Sequence, residues 1–408
     1  MDKDTNGLIY CLGIGEDGLC GQKRDIVDSA SLIISPKRFF NLVPKGIKCL
    51  DLIPIDKTIK VLKDFSGPGH AVVLASGDPL FFGIGKRLLK EIDNNKLVFY
   101  PAPTWIQSAC ARLKITWEDT KWVSLHGRND DILRQLAPFL IPGYKVAVLT
   151  DPKNTPSKIA SSILSHPASK DLNIKFHIAQ NLAQEDERVE SLDIKDVVDK
   201  EFSPLNVTII DIKDTKRITG FGLHEDFYIH EGGLITKAEV RAVVLSKLDL
   251  YNSKVFWDVG AGSGSVSIEG SRISPFTSCY AIEREETRFS QLKTNISNHI
   301  AFGVFPVLGE APDILKVLPD PDRVFIGGGI CTKGLLEEIS KRLKREGILV
   351  VTCVLLESFR FLLENLPKLG FKFNLIELQV SRSDTLGRGS SLRAQNPIFV
   401  FQAIKSRS

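Results

Sequence analysis

The chain is poor in the features that mark several protein classes. No apolar run in its 408 residues approaches the ~18–20 that a membrane-spanning helix needs, so no membrane partner is expected. The start, Met1-Asp-Lys-Asp-Thr-Asn-Gly7, has neither a basic n-region nor an apolar h-region, and no signal peptide is expected. The 7 cysteines are odd in number, scattered over both halves and never spaced Cys-x-x-Cys. That excludes a zinc ribbon and a disulfide framework and predicts free thiols in a reducing cytoplasm. The histidines show no ligand spacing, so no metal is expected. Charge of one sign is also lacking: Lys+Arg 53 against Asp+Glu 49 leaves +4. A nucleic-acid partner is not expected, because its readers carry a clustered basic face. No period of 20–50 residues marks a solenoid. The hydrophobic share of 43% is that of an ordinary globular protein, and the length implies two domains.

What is present is a regular alternation. Short apolar runs (Leu8–Leu12, Ala71–Ala75, Val146–Thr150, Val207–Ile212, Val255–Val259, Cys279–Ile282, Arg323–Ile326, Ile348–Val354) alternate with amphipathic stretches such as Leu80–Ile92, Thr104–Leu113, Lys237–Leu248 and Glu285–Asn295. This pattern predicts α/β architecture with mostly parallel sheets. Polar and glycine-bearing residues place a linker at 213–236, between a domain at 1–212 and another at 237–408. Thr236 with Glu239 three residues on predicts a capping box that starts the next helix.

The sharpest motif is Asp258-Val-Gly-Ala-Gly-Ser-Gly264, at the end of an apolar strand and before a helix. Gly260, Gly262 and Gly264 let the backbone turn through positive φ and approach a ligand. The G-x-G-x-G form after an acidic residue favours S-adenosylmethionine over a dinucleotide, which sets its pyrophosphate on a helix N-terminus. Glu283 ends the next strand 19 residues beyond Gly264 (283 − 264), the spacing of a carboxylate that accepts from ribose hydroxyls. Ala311, in Leu308-Gly-Glu-Ala-Pro-Asp313, is placed to contact the adenine, and Gly327–Gly329 leave room for a methyl acceptor. Together with Leu234-Ile-Thr-Lys-Ala-Glu-Val-Arg241 and Asn396-Pro397, these segments resemble the C15-methylating, decarboxylating enzymes of cobalamin biosynthesis from about Gly220 onward. The resemblance implies a Rossmann-like domain. Its S-adenosylmethionine site is formed by Thr236, Gly260, Ala261, Gly262, Ser263, Gly264, Glu283 and Ala311. The chain departs from that family at Glu269-Gly-Ser-Arg272.

The N-terminal half carries a different pattern. Ile9-Tyr-Cys-Leu-Gly-Ile-Gly15 is a strand entering a glycine turn, and Ser76-Gly-Asp-Pro79 follows a second strand. Asp78 as N-cap with Pro79 at the first helical position predicts a well-capped helix, which by itself needs no function. With Gly13-x-Gly15, however, the segment resembles the tetrapyrrole methylases. Val123-Ser-Leu-His-Gly-Arg128, Leu149-Thr-Asp-Pro-Lys-Asn-Thr-Pro156 and Asn181–Arg188 narrow this to the C5-methylating members of the cobalamin pathway, over about 8–212. The resemblance implies a two-lobed α/β domain binding a second S-adenosylmethionine at Gly13, Gly15, Gly77, Asp78 and Pro79. Glu16 and Asp17 replace the family's Pro-Gly after the first loop. His126 is a candidate acid or base and Arg128 a candidate carboxylate anchor. Arg382, Arg388 and Arg393 are candidate anchors in the Gly/Ser-rich stretch 381–394.

Two unrelated methyl-transfer domains imply two methylations of one acidic tetrapyrrole, a precorrin or its cobalt form, with one carboxylate lost. They also imply a homo-oligomer, since both families assemble. A single-site enzyme with an inactive N-terminal scaffold, or an RNA or small-molecule methyltransferase with an accessory domain, are the competing readings.

Overall fold

A computed structural model describes residues 7–66, 68–127, 131–213, 220–386 and 388–405. The first lobe runs β1 (Ile9–Ile14), α1 (Gln22–Asp28), β2 (Leu32–Ser35), β3 (Cys49–Asp51), α2 (Ile55–Lys63), β4 (Ala71–Ser76), α3 (Gly85–Glu91) and β5 (Leu97–Tyr100). Its strands form a parallel sheet in the order β3-β2-β4-β1-β5. Near-continuous apolar strands such as Ala71–Ala75, buried throughout, are what a parallel sheet covered on both faces requires.

Helix α4 (Trp105–Leu113) leads into the second lobe and packs on its sheet. Thr104 caps it in a full capping box with Gln107. The lobe continues with β6 (Thr120–Ser124), α5 (Ile132–Leu136), β7 (Lys145–Leu149), α6 (Pro156–Leu164), β8 (Ile174–Gln180), β9 (Arg188–Asp193), α7 (Ile194–Val197) and β10 (Asn206–Ile212). The sheet order is β6-β7-β10-β8-β9, with only the β6–β7 pair parallel. The charge-rich 184–200 stretch supplies β9, an exposed edge strand.

The remainder is α8 (Ala238–Leu248), β11 (Val255–Val259), α9 (Ser265–Ile273), β12 (Ser278–Glu283), α10 (Glu286–Asn298), β13 (Val304–Leu308), β14 (Arg323–Ile326), α11 (Leu335–Arg342), β15 (Ile348–Cys353), α12 (Leu356–Asn365), β16 (Phe371–Leu378), β17 (Ser381–Leu386), β18 (Gly389–Ala394) and β19 (Ile398–Lys405). Seven strands line up as β13-β12-β11-β14-β15-β19-β16, with antiparallel pairing on either side of β19. The chain goes from β11 to β12 on one side and later to β14 on the other. That reversal of strand order opens a crevice at the carboxyl ends of β11 and β14, where open α/β sheets bind ligands.

Two helix starts differ from expectation. Asp78 accepts from Leu80 N within a turn, and Gly85 N donates to Pro79 O, so α3 begins only at Gly85. Phe82, at φ 51, breaks any helix through 80–84. At α8 the cap position is Lys237, and the first free N–H (Ala238) is taken by Glu225 from outside the helix at 2.7 Å. Glu239 turns instead to Arg382.

The second lobe of the first domain packs on the β12–β13 edge of the second domain, and one apolar cluster spans both. His166 donates across this junction to Val304 O at 2.8 Å, and Arg134 reaches Ser278 Oγ at 3.1 Å. Among the described residues, no helix is long and apolar enough to cross a membrane.

Candidate functional site

The crevice after β11 is a cavity of about 820 Å³, in the range of small-molecule sites. Its floor is the 258–264 turn. Asp258, 1% exposed, accepts from the N–H and hydroxyl of Ser267 in α9 (3.2 and 2.7 Å), while burial pushes its carboxyl up to about 7. Gly260, Gly262 and Gly264 all adopt positive φ (75°, 54° and 75°). They do not serve one purpose. A Cβ on Gly260 or Gly262 would meet nothing within 4 Å, whereas on Gly264 it would lie 2.2 Å from Leu292 Cδ1 of α10. The first two face open cavity, and the third permits close helix packing.

Glu283 closes one end. Its carboxylate is 4% exposed and accepts from Gly262 N (3.0 Å), Arg284 N (2.9 Å) and Glu285 N (3.0 Å). A carboxylate offers about four acceptor sites, so three amides leave capacity for a hydroxyl in the cavity. Ala311 and Gly327–Gly329 line the walls from the loops after β13 and β14, Thr352 from the end of β15 and Asn396 from the loop before β19.

The remaining wall comes from residues 233–237, which include Thr236. This stretch is short of regular structure and is held instead by buried side chains. Glu269 accepts from Gly222 N, Leu223 N and the Tyr228 hydroxyl (3.0, 3.1 and 3.0 Å). It also pairs with Arg241 at 2.9 Å, both side chains fully buried. Arg241 in turn donates to Thr236 O at 2.7 Å and to Leu223 O. Asn295 binds both Ile229 N and Ile229 O (2.8 Å each). The sequence motifs assign Arg241 and Glu269 no role. The available signal was a pair of charges on helix faces otherwise turned to the core, which require a partner.

In the first domain, Gly13, Gly15, Gly77, Asp78 and Pro79 gather at the carboxyl ends of β1 and β4. A Cβ on Gly13 would lie 2.6 Å from Gly77 O and 2.8 Å from Ala102 N. Gly77, at φ 65, donates to Ile14 O at 2.8 Å. Trp105 caps this junction through Nε1 to Ser76 Oγ at 2.7 Å. Glu16 pairs with Arg112 at 2.8 Å, and Arg112 also binds Glu187 at 2.9 Å, linking the β1–α1 loop of one lobe to the β8–β9 loop of the other. Arg112 holds the Glu16 carboxyl below its usual range.

His126, Arg382, Arg388 and Arg393 do not line the cavity. His126 is exposed, with Nδ1 3.3 Å from Thr150 O. Arg128 lies outside the described residues. The 381–394 stretch is a β17–β18 hairpin rather than an open loop. Arg382 is committed to Glu225 (2.8 Å) and to Glu239, and it holds Glu225 down at about 2. Arg393 faces Asp384 across the hairpin at 3.8 Å, and Arg388 is exposed at its turn. No group of three or more His, Cys, Asp or Glu is arranged to hold a metal among the described residues.

A glycine turn, a strand-end carboxylate and a switch-point cavity define a methyltransferase domain, fused here behind a second α/β domain. Family models agree. Residues 226–405 match the precorrin methyltransferase domain and 54–198 the tetrapyrrole (corrin/porphyrin) methylases. A precorrin-6Y C(5,15)-methyltransferase [decarboxylating] of Sinorhizobium sp is 32% identical over 95% of this chain and 94% of its own. A probable cobalt-precorrin-6B C(15)-methyltransferase (decarboxylating) of Pyrobaculum calidifontis is 37% identical over 42% of this chain and 90% of its own. A crystal structure of a Geobacter metallireducens precorrin-6Y C5,15-methyltransferase, 37% identical, covers 45% of this chain and 98% of its own with a TM-score of 0.44. The chain belongs to the decarboxylating precorrin-6Y C(5,15)-methyltransferase family, and is an S-adenosylmethionine-dependent methyltransferase.

Proposed function

We propose that this enzyme methylates precorrin-6B at C5 in its first domain and at C15 in its second, releases the C12 acetate carboxyl as carbon dioxide, and so forms precorrin-8X for cobalamin in the cytoplasm. Each domain holds its own S-adenosylmethionine. The observation that carries this reading is the convergence of Gly260–Gly264, Glu283, Ala311 and Thr236 on one cavity, in a chain that aligns with a fused relative over 95% of its length.

The donor set fits the methyl donor. Gly260 and Gly262 leave space where a side chain would stand, and Glu283 is a fixed, buried acceptor at the ribose position. Bound S-adenosylmethionine supplies a methyl group already activated by its sulfonium. The protein's share is orientation: its walls hold carbon, methyl and sulfur in line and exclude water. The nucleophile is an electron-rich macrocycle carbon, and no side chain has to attack. Methylation leaves the macrocycle cationic. When the C12 acetate loses carbon dioxide, the electron pair of the broken carbon–carbon bond moves into that cation.

In the first domain, the Glu16–Arg112–Glu187 bridge spans the two lobes at the mouth where the glycine turns meet. A second cofactor is held between the lobes there, so Glu16 serves as a tie and not as a ligand. Calorimetry with S-adenosylhomocysteine tests the count, with two sites per chain expected. Incubation with metal-free substrate is expected to add two methyl groups and remove one carboxyl group by mass. One site with C15 methylation alone supports the scaffold reading, and turnover of only cobalt-loaded substrate assigns the enzyme to the cobalt route.

A further inference from the structure

On the reading above the cavity of the second domain takes an acidic macrocycle, yet no arginine of the 381–394 hairpin lines it, and Arg382 is already paired with Glu225 and Glu239. The cations that do line the cavity are Lys237, Arg284 and Arg288. Arg284 faces Glu310 at 3.3 Å and Arg288 faces Glu285 at 3.1 Å. Lys237 differs: among the described residues no carboxylate lies within ion-pair distance, and its Nζ reaches only the Gly233 carbonyl at 3.4 Å. It also stands at the N-cap of α8, the end of a helix where a positive charge is disfavoured. Two half-exposed or more exposed apolar side chains share this rim. Leu234 is 60% exposed and Val354 49%, and both line the cavity. Apolar side chains left open at a cavity mouth mark a binding surface. An unpaired ammonium beside an apolar shelf matches a flat ring that carries carboxylate arms.

We propose that Lys237 binds a side-chain carboxylate of the tetrapyrrole in the second domain, while Leu234 and Val354 receive the face of the ring. This rests on the functional reading given above and names the residue that positions its substrate. The carboxylate held is one that the product retains, because an ion pair stabilises a carboxylate against loss of carbon dioxide.

The test uses the full-length enzyme with metal-free precorrin substrate. Lys237→Met is expected to raise the KM for C15 methylation roughly ten- to hundredfold, the loss of one charged hydrogen bond. Its kcat and its Kd for S-adenosylhomocysteine stay at wild-type values, and C5 methylation is unaffected. Lys237→Arg restores most of the affinity, and the salt dependence of KM is shallower in Lys237→Met than in wild type. An unchanged KM in Lys237→Met overturns the proposal. So does a loss of S-adenosylhomocysteine binding shared by both variants, which makes the residue structural. A wild-type enzyme that methylates no tetrapyrrole overturns the functional reading and this assignment with it.

Discussion

Both domains place glycines at the end of their first strand, and Gly13 does the opposite work of Gly260 and Gly262. In the second domain, Gly260 and Gly262 border empty cavity, with nothing within 4 Å of where a Cβ would stand. In the first, Gly13 is pressed between Gly77 O and Ala102 N at 2.6 and 2.8 Å. Gly260 and Gly262 keep the cavity open, and Gly13 admits the protein's own backbone. The ionic ties contrast in the same way. Arg112 joins Glu16 and Glu187 at a part-exposed cleft, whereas Arg241 and Glu269 are sealed at 0% exposure. A glycine-rich turn in a sequence therefore marks a close approach without saying what approaches.

The largest expected effects separate the glycines. Gly262→Asp puts a carboxylate into the cavity beside Glu283. It is expected to abolish S-adenosylhomocysteine binding in the second domain, taking C15 methylation and decarboxylation with it. The fold pays only the cost of a side chain at positive φ, about 1–2 kcal/mol. Gly13→Val forces a branched side chain into backbone and is expected to cost about 1–3 kcal/mol or more, concentrated in the first lobe. Calorimetric stoichiometry with limited proteolysis reads both. If Gly262→Asp also ends C5 methylation in folded protein, the domains do not act independently. If Gly13→Val leaves stability intact, the contrast between the two glycine turns is lost.

The ion pairs give the next effect. Arg241→Met strands the Glu269 carboxylate in the core, and breaking a buried pair costs roughly 3–5 kcal/mol. It also frees Thr236 O and Leu223 O, so the 233–237 wall loosens and S-adenosylhomocysteine binds less tightly. Arg112→Met removes a part-exposed pair of ties and is expected to cost about 1 kcal/mol or less. Urea midpoints for the two variants, with amide exchange over 220–236, check the ratio. Equal midpoints break the comparison.

Much of this was legible because it is local. Strand–turn–helix with three glycines is written into 255–273, and Glu283 follows at a spacing set by one helix and one strand. What was not legible depends on partners far along the chain. Thr236 with Glu239 reads as a capping box, but the cap is Glu225, and Glu239 is drawn to Arg382 on a hairpin 143 residues away. Asp78-Pro79 reads as a helix start, but Gly83 and Gly85 pack against Pro79 O, where a Cβ would lie 2.7 and 2.6 Å away, and the chain turns once more first. Arg382 looks free for a ligand until the fold brings Glu225 and Glu239 to it. Composition shows charge but not its partner.

A pH-dependent effect is expected at the junction of the two domains. His166 is 6% exposed and lies between Phe302 and Phe305, with ring centroids 5.5 and 5.8 Å away. Its Nδ1 accepts from Ala168 N at 3.2 Å, so Nε2 carries the hydrogen that Val304 O receives, and the ring is neutral. Burial holds its pKa at about 4, below the ordinary 6.5. Between those values the unfolded chain binds a proton that the folded chain refuses, so this stability is complete above pH 6.5 and drains as pH falls toward 4. The span corresponds to roughly 3 kcal/mol. His166→Gln lacks the titration. It is expected to be less stable than wild type at pH 7.5 and to close that gap by pH 4.5, as read by urea midpoints at both values. His177, also held low by burial, and the carboxylates titrate in both proteins and cancel in the difference. A gap that stays constant with pH means that His166 takes up its proton without leaving the interface, and the domains are then not locked by a neutral ring.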